Sequence, residues 1–210
     1  MKKLGFLLFL VLMLGIASGS ALAQNVGDNS VYFVTYFANN LTAAAVPDAT
    51  VRVINDGTTV SATNDGSLWA SFYVFDDSQE LVECCSCYVS ADGLLSESVK
   101  GQLTNAPLTG IKPPRGVIKL ISSSTNASGP KYGSPSYKNT PQAGLRAWAT
   151  HVQSTKNATP FGPAPYSFTE TLFADSNLAA GEETMLESLC QFSILLSGHE
   201  CPCTLEDYDF

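Results

Sequence analysis

The chain has 210 residues, 45% of them hydrophobic, 10% aromatic and only 14% charged, and its eleven Lys and Arg face nineteen Asp and Glu for a net charge of −8. Enough apolar side chains are present to bury a core, which excludes a long disordered tail, and charge is too sparse for a coiled coil. The acidic balance excludes a nucleic-acid binder, which needs a basic surface, and makes anionic membrane surfaces poor partners.

The first residues have the pattern of an export signal. Met1-Lys2-Lys3 is positive, Leu4 to Ile16 is an apolar run of thirteen residues, and small residues lead to Ala21-Leu22-Ala23 before Gln24. A spanning helix needs about twenty apolar residues, and Ser18, Gly19 and Ser20 interrupt this run, so cleavage after Ala23 is expected rather than a retained anchor. The remaining 187 residues, 24–210, have nine basic and nineteen acidic side chains and a net charge near −10. They contain no second apolar stretch of spanning length and are expected to form one β-rich domain, secreted or periplasmic.

Ser30 to Ala38 is rich in Val, Tyr and Phe and reads as a first strand, and Ala49 to Ile54 alternates as a half-buried second one. Asn55-Asp56-Gly57 and Asn64-Asp65-Gly66 predict hairpin turns, because Asp-Gly between β-rich runs supplies positive φ, so an antiparallel meander is expected into Ser67 to Phe75. One carboxylate per turn is far short of the ligand set of calcium. Asp76-Asp77-Ser78 turns into Glu80 to Ser90, the cysteine-bearing strand. Ala91-Asp92-Gly93 turns again, and extended segments follow at Leu94 to Leu103 and Arg115 to Ser122, after Lys112-Pro113-Pro114. Turn signals at this rhythm predict an antiparallel β-sandwich, immunoglobulin-like or similar.

Residues 123–144 are dominated by Ser, Thr, Asn, Gly and Pro and read as a long surface loop. Leu145 to Gln153 and Ser167 to Phe173 are further strands. The period then changes: Ala180 to Ser197 sets Met185, Leu189, Phe192 and Leu196 at helical spacing, with Leu186 and Cys190 alongside, acidic Glu182 and Glu183 in the first turn, and Gly198 as a stop. This predicts one C-terminal helix whose Met and aromatic stripe packs on the sheet.

The six cysteines fall in two clusters, Cys84, Cys85 and Cys87, and Cys190, Cys201 and Cys203. Export makes disulfides the expectation, and six cysteines allow fifteen connectivities. On a strand Cys85 and Cys87 share one face and Cys84 takes the other, so Cys85 and Cys87 would meet the similarly spaced Cys201 and Cys203 while Cys84 pairs with Cys190. The alternative is a zinc or copper site using Cys85, Cys87, Cys201 and Cys203 with His199, although the spacing is not the Cys-x-x-Cys knuckle. Redox chemistry at the vicinal Cys84-Cys85 pair is a third reading, without the helix start that activates such motifs.

Catalytic signatures are missing: no Gly-x-Ser-x-Gly elbow, His-Glu-x-x-His, phosphate-cradling loop or dinucleotide fingerprint occurs. His199-Glu200 runs into Pro202. His151 has no nucleophile motif beside it and reads as an ordinary strand histidine. Asp76-Asp77 is a common turn pair that does not imply glycoside hydrolysis. No enzyme activity and no cofactor are therefore expected.

The run Glu83-Cys84-Cys85-Ser86-Cys87 with Asp92-Gly93-Leu94, followed by Leu186-Glu187-Ser188-Leu189-Cys190-Gln191-Phe192 and a cysteine-rich end, resembles a loosely defined group of exported bacterial proteins with no known activity. The resemblance covers about a third of the chain and implies bacterial origin, export and a shared cysteine framework. In a bacterium the sequons at Asn40, Asn126 and Asn157 are chance matches. The expected role is a non-catalytic binding or structural module with a protein or glycan partner, contacted through loop tyrosines such as Tyr132, Tyr137 and Tyr166.

Overall fold

A computed structural model describes residues 30–38, 48–105, 107, 109–125, 140–154, 166–197, 201 and 203. The expected leader with its cleavage point at Ala23, most of the 123–144 loop with Tyr132 and Tyr137, the three sequons, Gly198 and His199 lie outside the described residues.

The chain is mainly β. Its strands are β1 (Tyr32–Ala38), β2 (Thr50–Asn55), β3 (Leu68–Asp76), β4 (Leu81–Val89), β5 (Leu94–Ser98), β6 (Arg115–Ser124), β7 (Leu145–Ser154), β8 (Tyr166–Leu172) and β9 (Ala174–Ser176), and helix α1 (Ala180–Ser197) follows them. They form two antiparallel sheets, one of five strands in the order β4-β3-β6-β1-β9 and one of four in the order β5-β2-β7-β8. Strand alternation explains the layering. Phe33, Phe37, Phe72, Cys85 and Leu120 of the first sheet and Val51, Val53, Leu95 and Ala147 of the second share one core. The alternate residues Tyr32, Tyr73, Cys84 and Ile121 form a second cluster with Leu186 and Cys190 of α1, so the helix covers the outer face of the five-stranded sheet. Gly116 lets β6 approach closely: a Cβ there would lie 1.9 Å from the Phe75 carbonyl oxygen and 2.8 Å from the Phe37 ring.

The predicted meander is corrected. Gly57 and Gly66 do adopt positive φ, 69° and 82°, but β2 and β3 belong to different sheets, so the two Asn-Asp-Gly turns shape a crossing between sheets rather than a hairpin. The cause is the buried Asn55 side chain. Its Nδ2 donates to the Gly66 and Val89 carbonyls at 2.8 and 3.1 Å, and its Oδ1 accepts from the Gly57 amide at 3.1 Å, which knits the corner without a ladder. A tight hairpin instead joins β3 and β4, where Asp76 Oδ1 accepts from the amides of Ser78 and Glu80, both at 2.9 Å.

The extended segment expected over Leu94 to Leu103 also divides. After β5, Val99–Leu103 winds into a π-helical turn. Two side chains select it: Ser98 Oγ accepts from the Gly101 amide at 2.7 Å, and Thr104 Oγ1 donates to the Val99 carbonyl at 2.7 Å. The Asp48 carboxylate accepts from the Lys100 amide and pairs with the Ser98 hydroxyl, tying the turn to the start of β2.

Candidate functional site

All six cysteines are bridged. Cys84 joins Cys190, Cys85 joins Cys201 and Cys87 joins Cys203, with Cα separations of 5.8, 5.2 and 5.5 Å. β4 makes this possible because it is the edge strand of its sheet. Its outward Cys84 reaches α1, and its core-facing Cys85 and Cys87 reach the segment that follows the helix. Cys201 lies at the strand edge, where its amide donates to the Cys84 carbonyl at 3.3 Å. The vicinal reading is overturned: neighbouring residues of a strand point to opposite faces, so Cys84 and Cys85 bond different partners. The sulfurs of Cys85, Cys87 and Cys203 lie within 4.8 Å of one another. Cys87 and Cys203 are bonded to each other and Cys85 to Cys201, so this proximity is that of two adjacent bridges and not the roughly 3.8 Å spacing of sulfurs around tetrahedral zinc.

Helix α1 sits on the sheet differently from its sequence pattern. It buries Leu186, Cys190 and Ser193, whereas Met185 is 45% exposed, Phe192 56% and Leu196 57%. The expected core stripe is thus turned aside by about a quarter of a helical turn. Two ties fix the rotation. One is the Cys84–Cys190 bridge. The other is Glu182, whose Oε1 pairs with Lys119 Nζ of β6 at 2.5 Å and accepts from the Tyr32 hydroxyl at 3.1 Å. The hydrogen bond from Lys119 holds the Glu182 carboxyl below the usual range, while burial pushes up the carboxyls of Glu183 and Glu187 on the other flank. Burial also raises the Tyr73 hydroxyl, beneath those two acids.

His151 is the polar residue whose environment the sequence did not announce. It is fully buried in β7, its ring stacks on Tyr36 with centroids 4.1 Å apart and planes 8° from parallel, and Nε2 bonds Thr171 Oγ1 of β8 at 2.7 Å. Its Nδ1 has no hydrogen-bond partner among the described residues. Burial holds the imidazole below its ordinary range. Glu83 and Glu97 are also buried, on the core-facing sides of β4 and β5. No signal short of the fold reveals that, since acidic residues in an alternating strand read as solvent-facing.

β8 is the edge of the four-stranded sheet. Its register with β7 places Phe168, Glu170 and Leu172 on one face beside Val152, Thr150 and Trp148. Phe168 and Leu172 are exposed, and Glu170 pairs with Arg52 of β2 at 3.2 Å. Tyr166 begins this strand. Among the described residues no strand pairs with the side of β8 away from β7, and no helix is long and apolar enough to cross a membrane.

These features define a disulfide-bridged protein of two antiparallel sheets and one C-terminal helix. No family model, curated protein or solved structure matches the chain.

Proposed function

We propose that the protein is exported to the periplasm or cell exterior and acts as a non-catalytic binding module, taking an extended segment of a protein partner along β8. The observation behind this reading is the edge of β8. A sheet edge offers a row of backbone donors and acceptors that another strand satisfies, and natural proteins blunt such edges with Pro, Lys or bulges. β8 has none of these from Tyr166 to Leu172, and it presents Phe168 and Leu172 on either side of Glu170. Strand addition uses such an edge for affinity and the alternating side chains for specificity. The sequence pattern over Met1 to Ala23 and the complete bridging of the cysteines support the export half of the reading.

A peptide library displayed on phage and selected on the oxidised protein tests the module. Selected peptides should alternate apolar residues and slow amide exchange in β8, and Phe168→Lys with Leu172→Lys should weaken them by about tenfold or more. Peptides that protect another region, or that bind the double variant equally well, would remove the assignment.

A second reading, a zinc or copper thiolate site at Cys85, Cys87, Cys201 and Cys203, requires the two bridges that join these residues to be open. Thiol titration with metal analysis on unreduced protein separates the two. No free thiol excludes the metal site, whereas four or more with bound metal excludes the staples.

A further inference from the structure

The edge strand β8 has few apolar anchors. Its side chains on the same face as Ala149 and His151 of β7 are Ser167, Thr169 and Thr171, while Phe168 and Leu172 point the other way and are exposed. On that outer face Glu170 meets Arg52, but both side chains are largely in water, where such a pair is worth little. On the inner face, Thr171 Oγ1 bonds His151 Nε2 at 2.7 Å. The ladder with β7 is thus reinforced from inside by a histidine. That histidine is fully buried, lies under the half-exposed ring of Tyr36 from the other sheet, and has no partner for Nδ1 among the described residues. Whichever tautomer it adopts, the protonated ring would carry a donor at Nδ1 in a dry site, which is costly unless the ring reaches water.

We propose that His151 is an acid-operated latch on β8: protonation drives the imidazole out from beneath Tyr36, loosens the edge strand and releases a segment paired with it. This regulation rests on the reading of β8 as the docking edge. The surroundings of the ring offer the cation no relief. Tyr36 of β1 is the titratable side chain in contact with it. On β8 the residues sharing its face are uncharged, and Glu170 lies across the sheet with Arg52 of β2. Arg146 of β7 also takes that outer face and pairs with Asp56 at 3.9 Å, while Asp175 of β9 is exposed and stands opposite Phe33. Burial accordingly holds the imidazole below its ordinary range. The sign follows: the closed strand prefers the neutral ring, the opened strand takes up the proton, and opening gains as the pH falls below about 6.5. One unit lower, at about pH 5.5, that gain has a ceiling of about tenfold, the protonated share of an exposed imidazole.

Amide hydrogen exchange on the full, oxidised chain at about pH 7.5 and about pH 5.5, expressed as protection relative to the unfolded chain at each pH, is the test. Protection in β8 is expected to fall severalfold at the lower pH, up to that ceiling of about tenfold. Low urea should hardly change exchange in β8 while it speeds exchange in β3 and β4, the mark of a local opening rather than global unfolding. His151→Gln, which gains no proton, should abolish the pH response, and His151→Phe, which keeps a ring against Tyr36, should do the same. His199→Gln, at the other histidine of the chain, should leave the response intact. A peptide selected on phage at pH 7.5 should weaken severalfold at pH 5.5 on the wild type and not on either His151 variant. The latch is overturned by β8 protection that ignores pH, that responds equally in both His151 variants, or that shares the urea dependence of β3 and β4. Recovery of no peptide that protects β8 would remove the docking reading instead, and the exchange measurements on the free protein would still decide the latch.

Discussion

His151 shows how one buried side chain sets a pH dependence. Its protonated form would place a cation between Tyr36 and Thr171, with no described acceptor at Nδ1. The fold therefore favours the neutral ring, and the folded-state pKa lies below the value of 6.5 expected for an exposed imidazole. The unfolded chain binds that proton more readily, so stability rises with pH through this window and is lost on acidification below about 6.5. Glu183 and Glu187, whose carboxyls are raised, act in the opposite sense closer to the ordinary carboxylate range. The histidine is isolated by measuring melting temperature between pH 7.5 and 6. The wild type should lose stability as the pH falls, and His151→Gln should flatten that slope; an equal slope in the variant would assign the effect elsewhere.

At the level of elements, the attachment of α1 combines an apolar cluster around Leu186 with a few directed contacts that fix its rotation. Glu182 joins its first turn to Lys119 and Tyr32, at side chains mostly shielded from water. Hydrogen bonds to charged groups are worth about 1.5–3 kcal/mol, and partial exposure lowers that figure, so Glu182→Gln should destabilise the protein by roughly 1 kcal/mol. Urea denaturation would read the loss, and faster amide exchange confined to the first turns of α1 would locate it. This architecture also shows why the elements were legible to different degrees. The strands and the limits of α1 follow from periodicity and turn residues. The cysteine partners follow too, since Cys85-x-Cys87 and Cys201-x-Cys203 share a spacing while Cys84 must face the other way. The buried face of α1 does not follow, because hydrophobic content favours the stripe through Phe192 whereas a bridge and an ion pair choose the face of Leu186. The path from β2 to β3 is hidden for a similar reason: Asn-Asp-Gly prescribes local φ, not the sheet that the next strand joins. β9 is three residues long, too short for any periodicity to show.

Across the whole molecule, the three bridges close interleaved loops, with sequence separations of 106, 116 and 116. Their effects on the unfolded chain are consequently unequal. The first bridge formed restrains a loop of about a hundred residues, worth roughly 5 kcal/mol in the chain-entropy account. With Cys84–Cys190 in place, Cys85–Cys201 closes a further loop of only about a dozen residues, worth somewhat under about 3 kcal/mol, and Cys87–Cys203 then closes a handful, worth about 2 kcal/mol. Their sum is comparable with the entire stability of a typical domain, about 5–15 kcal/mol. Removing the last bridge alone, by Cys87→Ala with Cys203→Ala, should therefore cost about 2 kcal/mol and leave a folded protein, since β4 stays tied to α1 and to Cys201. Full reduction should unfold the chain, because the three losses together approach the entire stability of a typical domain. Urea titrations of the oxidised wild type, the double variant and the reduced wild type would order the three stabilities. If the double variant proved as unstable as the reduced protein, the bridges would not act as successive restraints and Cys87–Cys203 would have to hold the core by its packing against Val89 and Phe72, which share its cluster.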